Sequence, residues 1–273
     1  MGGIERKESF EEGPDFEHFD RVRSGFSDEV AGALFDDVES EKLMQFDEDA
    51  FKVRPKQGYP EHLIVSQNRK MMGYNESNEY WEKRIKGNEM SWVMSKRKTD
   101  KIKGGLSDEE YVCFGIDLRT LRGNVVLCCL LIEAEERLKE AYREKFGKEL
   151  DMKFSRMEMK NSSKSKHHGK GVAVDFDAEQ NWLASPDEVE WNIPDALAYT
   201  LQDLGLAWGM FYDQIRSDGQ TDAMHFDMRI DVGTAMSQLK SARALKLAKS
   251  FRLPYRGGIS LYDYGMTKLE QGT

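Results

Sequence analysis

The chain is short of cysteine, of positive charge and of long apolar runs, and each shortage closes off a class of protein. Only three cysteines occur in 273 residues, Cys113, Cys128 and Cys129, and no two stand in a Cys-x-x-Cys pair. Neighbouring positions on a helix point in different directions, so neither a disulfide framework nor a thiolate zinc site is indicated, and buried reduced thiols are expected. Residues 1–7 lead into acidic residues instead of an apolar segment. The expectation is therefore a chain without a secretory signal, made in a cytoplasm, with no run long enough to span a bilayer. A formal net charge of -9 argues against a protein that coats nucleic acid. Histidine is scarce at five residues, and His18 and His62 stand apart from any pattern, which leaves three to carry chemistry.

Charged residues make up 33% and hydrophobic residues 39%, a polar balance that still suffices for a core. Four segments follow from composition and periodicity. Residues 1–59 read as an acidic, partly ordered arm broken by Gly13, Pro14 and Pro55, with one helix over 27–35 capped by Ser27. Residues 60–105 turn basic with interleaved aromatics such as Tyr74, Tyr80, Trp81 and Trp92, the pattern of an amphipathic helical extension. The compact domain occupies 106–232, and 233–273 form a C-terminal helix, over 235–249, and a tail. Within the domain the spacing predicts a helix over 124–146 that stops at Gly147, and a second over 194–204, opened by Pro194 and closed by Gly205. The first half of the 124–146 helix is apolar almost all round and should be buried. A strand is expected over 150–155. Helices and short strands in one domain define an α+β class.

Two stretches carry the chemistry. The first is Ser165-Lys166-His167-His168-Gly169-Lys170-Gly171, a loop that runs into an alternating strand over 172–177. Val172, Val174 and Phe176 share one face of that strand, and Asp175 lies on the other. The second stretch covers 222–230, where alternation puts His225, Asp227 and Arg229 on one face and Phe226, Met228 and Ile230 on the opposite one. Two histidines and one aspartate from two strand edges make three protein ligands, the number that leaves a zinc ion one open tetrahedral position for catalysis. Asp222, three residues before His225, is placed to take a proton from water. Asp227 is placed to orient a ligand histidine. Either His167 or His168 has the position for the first ligand.

His168-x-x-Gly171-x-Ala173-x-Asp175 followed by Asp222-x-x-His225-Phe226-Asp227 resembles the signature of the M15 family of zinc peptidases, the D-alanyl-D-alanine carboxypeptidases and L-alanyl-D-glutamate endopeptidases. Leu206-Ala207-Trp208-Gly209 is similar to the Gly-Leu-x-Trp-Gly stretch before the family's second motif. The resemblance implies a hedgehog/DD-peptidase-like fold, a small and mostly antiparallel sheet flanked by helices, with extensions at both ends. It implies zinc held by His168, Asp175 and His225, with Asp222 as general base, and only His168 keeps the family's offsets. Arg156 is the candidate for holding a substrate oxygen. Asp222 in place of glutamate, and phenylalanine after His225, lean toward the endopeptidase branch typical of phage endolysins, with D-Ala-D-Ala carboxypeptidase as the alternative. Peptidoglycan is then the substrate, other virion proteins are further partners, and the wall is met after lysis or as part of a phage particle. The chain departs from the pattern where Lys166 replaces the usual serine two before the first ligand. A structural virion protein that keeps the domain for binding or assembly is the reading from another class.

Overall fold

A computed structural model describes residues 42–65, 92–159 and 167–253. The helix expected over 27–35, the aromatics Tyr74, Tyr80 and Trp81, and the tail beyond 253 lie outside the described residues. Ten short strands occur among those described: β1 (Lys56–Gln57), β2 (Val112–Cys113), β3 (Ile116–Asp117), β4 (Met157–Glu158), β5 (Ala173–Phe176), β6 (Leu183–Ala184), β7 (Glu190–Trp191), β8 (Leu206–Trp208), β9 (Thr221–Asp222) and β10 (His225–Met228). The α-helices are α1 (Lys96–Thr99), α2 (Val125–Phe146), α3 (Asp195–Asp203), α4 (Val232–Ser237) and α5 (Ala242–Ser250). Small antiparallel sheets among helices bear out the α+β class.

Helix α2 is the spine. Asn124 caps it by accepting the Val126 N–H at 2.9 Å, and Gly147 ends it in the left-handed region. Every residue from Val125 to Ile132 is fully buried, because a helix apolar on all sides has no face to give to water. Cys128 and Cys129 are among them and Cys113 packs nearby, all three free, and burial pushes their thiols up. No described helix is long and apolar enough to cross a membrane.

Four strands in the order β4-β5-β10-β8 form the main sheet, antiparallel throughout. Its apolar face is aromatic: Trp208 stacks on Phe226 at 5.5 Å between ring centres, and Phe226 meets Phe176 edge-on at 5.8 Å. Residues on either side of 106–232 join the same core. Phe51 packs on Tyr142 at 5.3 Å, β1 pairs with β7, and α5 supplies the buried Leu247 and Ala248.

Two expected elements differ. No strand forms over 150–155; the sheet edge is β4 instead. Met152 and Phe154 are buried while Asp151, Lys153 and Ser155 are exposed, so the alternation is real. That stretch nonetheless lies on the core without a ladder partner. The helix expected over 235–249 is two helices, α4 and α5. Between them the buried Glu133 accepts the N–H groups of Lys240 and Ser241 at 3.0 and 2.9 Å, and the Ser241 hydroxyl caps α5.

Candidate metal centre

Strand register builds the site. His225 on β10 stands directly opposite Asp175 on β5, and opposed residues of an antiparallel pair project from the same face. The third member, His168, opens a 3₁₀ turn, His168–Lys170, that ends at Gly171. Gly171 has φ +68, and a Cβ there would lie 3.0 Å from the Asn124 nitrogen. Only glycine lets the turn press onto the start of α2, where the Asn124 N–H reaches the Gly171 carbonyl at 2.8 Å.

The three donor atoms converge. His168 Nε2 lies 3.0 Å from an Asp175 oxygen and 3.0 Å from His225 Nδ1, and His225 Nδ1 lies 2.9 Å from the same oxygen. The outer ring nitrogens decide what these atoms are. His168 Nδ1 is 2.7 Å from the Met159 carbonyl, which only accepts, so Nδ1 carries the proton and Nε2 offers a lone pair. His225 Nε2 is 3.2 Å from Asp227, also an acceptor, so its Nδ1 is bare as well. Two lone pairs and a carboxylate oxygen at such separations repel unless a cation sits among them. The group could hold a metal ion. In the metal-free protein a proton takes that place: burial opposes charge on His225, but hydrogen bonds to Asp175 and Asp227 prevail and push its pKa up to about 10. Burial pulls the Asp175 carboxyl up, but its contacts with His168 and His225, above all the proton held on His225, prevail and keep it at about 2.

Beneath this group lies a buried polar cluster. Asp227 takes the outer N–H of His225, is bonded by Arg229 through Nε and, at 3.0 Å, through its NH2 nitrogen, and accepts the Tyr212 hydroxyl. Burial would raise its carboxyl, but the neighbouring His167, His225 and Arg229 hold it well below the usual range. His167 Nδ1 lies 3.4 Å from Asp227, so His167 belongs to this lower cluster and His168 to the upper one. Burial lowers the His167 pKa to about 4, only partly opposed by Asp227.

Asp222 sits on β9, four residues after the turn at 217–218 that follows the 3₁₀ segment Gly209–Gln214. Its carboxylate lies within electrostatic reach of His225, Asp175 and His168, and burial raises its pKa. One oxygen, Oδ1, is buried with no hydrogen-bond partner. Gly209 explains how it gets there: a Cβ at that position would lie 2.4 Å from the Asp222 carbonyl, 2.9 Å from its Cβ and 3.1 Å from that of His225.

Arg156 is engaged elsewhere: its side chain is 58% exposed and pairs with Glu158 and, at 3.6 Å, with Glu179. The arginine under the histidines is Arg229. Alternation in the sequence places Arg229 on the face of His225 and Asp227, but nothing there assigns it to Asp227. Tyr212 arrives from a separate segment and leaves no local signal. Compared with protein-family models, with curated proteins and with solved structures, the chain gives no significant match.

Proposed function

We propose that the chain is a zinc-dependent peptidase of the M15 type, hedgehog/DD-peptidase-like in fold, that hydrolyses an amide bond in the peptide stem of bacterial peptidoglycan. The observation that carries this reading is the set of lone pairs on His168, His225 and Asp175 turned on one another at 2.9 to 3.0 Å. Two imidazole nitrogens and a carboxylate oxygen are donors that zinc takes, and three protein ligands match its catalytic arrangement. Tetrahedral ligands at about 2.0–2.1 Å stand roughly 3.3 Å apart, so the group needs to open by only a few tenths of an ångström. Bound zinc supplies Lewis acidity, lowering the pKa of water from about 15.7 toward about 7 and polarising a carbonyl.

The chain's own residues do the rest. Asp222 accepts a proton from the attacking water and returns it to the leaving amine. Its unpartnered Oδ1 and raised pKa suit a base that must hold and release a proton. Asp227 fixes the tautomer of His225 and makes it the better ligand. An aspartate at 222 and phenylalanine at 226 favour cleavage between L-alanine and D-glutamate over removal of a terminal D-alanine. The wall is then met after lysis or from a phage particle.

Zinc-loaded protein is expected to release new amino termini from purified peptidoglycan, a chelator to stop the release, and mass spectrometry to find the stem opened after L-alanine. Asp222→Ala is expected to keep its metal and lose about 10²- to 10⁴-fold in turnover. Full activity in that variant would remove Asp222 from the role. Metal bound by the wild type without any hydrolysis would favour the binding or assembly reading.

A further inference from the structure

The two-stranded sheet beside Asp222 has an open edge. Leu183 on β6 pairs with Asp222 on β9, and two residues further along, the Met224 N–H reaches the Asn181 carbonyl at 3.2 Å. Hydrogen-bonded and non-bonded pairs alternate along an antiparallel ladder, so Trp182, between those two pairs, turns its own N–H and C=O away from β9. Neither group of Trp182 has a partner among the described residues. Trp182 is 59% exposed and Leu183 42%, and both stand out as large apolar side chains left in water. Leu183 projects from the same face as Asp222, its cross-strand partner, and Asp222 lies beside His225, since a Cβ on Gly209 would be 2.9 Å from the Asp222 Cβ and 3.1 Å from that of His225.

An unpaired N–H and C=O on the residue that leads into strand β6 can recognise another main chain. We propose that Trp182 is the docking edge for a peptide substrate, which adds to β6 as a third strand and then crosses the Leu183 side chain to reach Asp222. This deepens the peptidase reading and rests on it. Two strand spacings of about 4.8 Å separate the docked segment from β9, a span that about three extended residues cover. The substrate therefore needs about three residues on one side of the scissile bond.

The test compares a long and a truncated synthetic stem peptide, each cleaved by metal-loaded full-length protein. Trp182→Pro removes the donor while leaving the β9 side of the strand intact; Trp182→Ala keeps it. Truncation is expected to cost the wild type and Trp182→Ala about fivefold or more in kcat/KM and to cost Trp182→Pro nothing further, with metal content equal in all three. Equal sensitivity to truncation in the proline and alanine variants would overturn the proposal. Should the proline variant lose its metal, N-methylation of the long peptide carries the test in the wild type. One methylated amide other than the scissile one should then block cleavage, and tolerance at every such position would overturn the docking edge. If the wild type cleaves no stem peptide, the peptidase reading fails separately. Calorimetric binding of the long peptide then decides: weakening by Trp182→Pro but not Trp182→Ala supports the edge, and no difference refutes it.

Discussion

Asp227 serves four groups at once, His225, His167, Arg229 and Tyr212, from a position with almost no contact with water. Its charge fixes the His225 tautomer, so Asp227→Asn is expected to weaken metal binding by about 10- to 100-fold, measured by competition with a chromophoric chelator. Unchanged affinity would mean that His225 is oriented by packing alone. Arg229→Met removes the cation and leaves Asp227 buried against a tyrosine and two histidines. Breaking one side of such a pair costs about 3–5 kcal/mol, which denaturant unfolding would register. At this scale the sequence is partly legible. A period of two is enough to put His225, Asp227 and Arg229 on one face, because side-chain direction along a strand is fixed by the backbone. It says nothing of Tyr212, which comes from the 3₁₀ segment Gly209–Gln214, and the family resemblance points instead to Arg156, whose side chain meets Glu158 and Glu179.

Elements are legible where local chemistry decides them. Helix α2 carries its own cap, its own stop and an apolar run, and it forms where its spacing says. Residues 150–155 have a strand's alternation but no ladder partner, and pairing is a property of the sheet that one strand's sequence does not contain. The break between α4 and α5 is set by Glu133, about a hundred residues away, whose carboxylate captures two main-chain N–H groups. The same dependence on distant partners governs the seating of β9. Gly209→Ala would drive a methyl group into the Asp222 main chain, which is backbone and cannot swing aside. The expected cost is about 1–3 kcal/mol of stability, with a larger loss of turnover than of metal content, since β9 must move away from its neighbour. Full turnover in the alanine variant, measured against metal content, would show that Asp222 need not lie where it does.

Across the whole molecule the His-Asp-His group ties together a turn on α2, strand β5 and strand β10, so a bound metal should stabilise the entire fold by mass action. The size of that effect should depend on pH, and its direction follows from the metal-free state. His225 is pushed up to about 10 there, above the ordinary histidine value of about 6.5. Its proton therefore stabilises the metal-free fold fully below about 6.5, and that contribution is lost as pH rises toward 10. Asp175, held at about 2, stays ionised across this window and changes nothing in it. A metal replaces the proton and does not leave as pH rises, since its ligands must be deprotonated to bind. The gap in Tm between metal-loaded and chelator-treated protein is thus expected to widen from pH 6 to pH 9. Scanning calorimetry at both values tests this, and a gap of constant size would mean that no proton and no cation compete for the space between His168, Asp175 and His225.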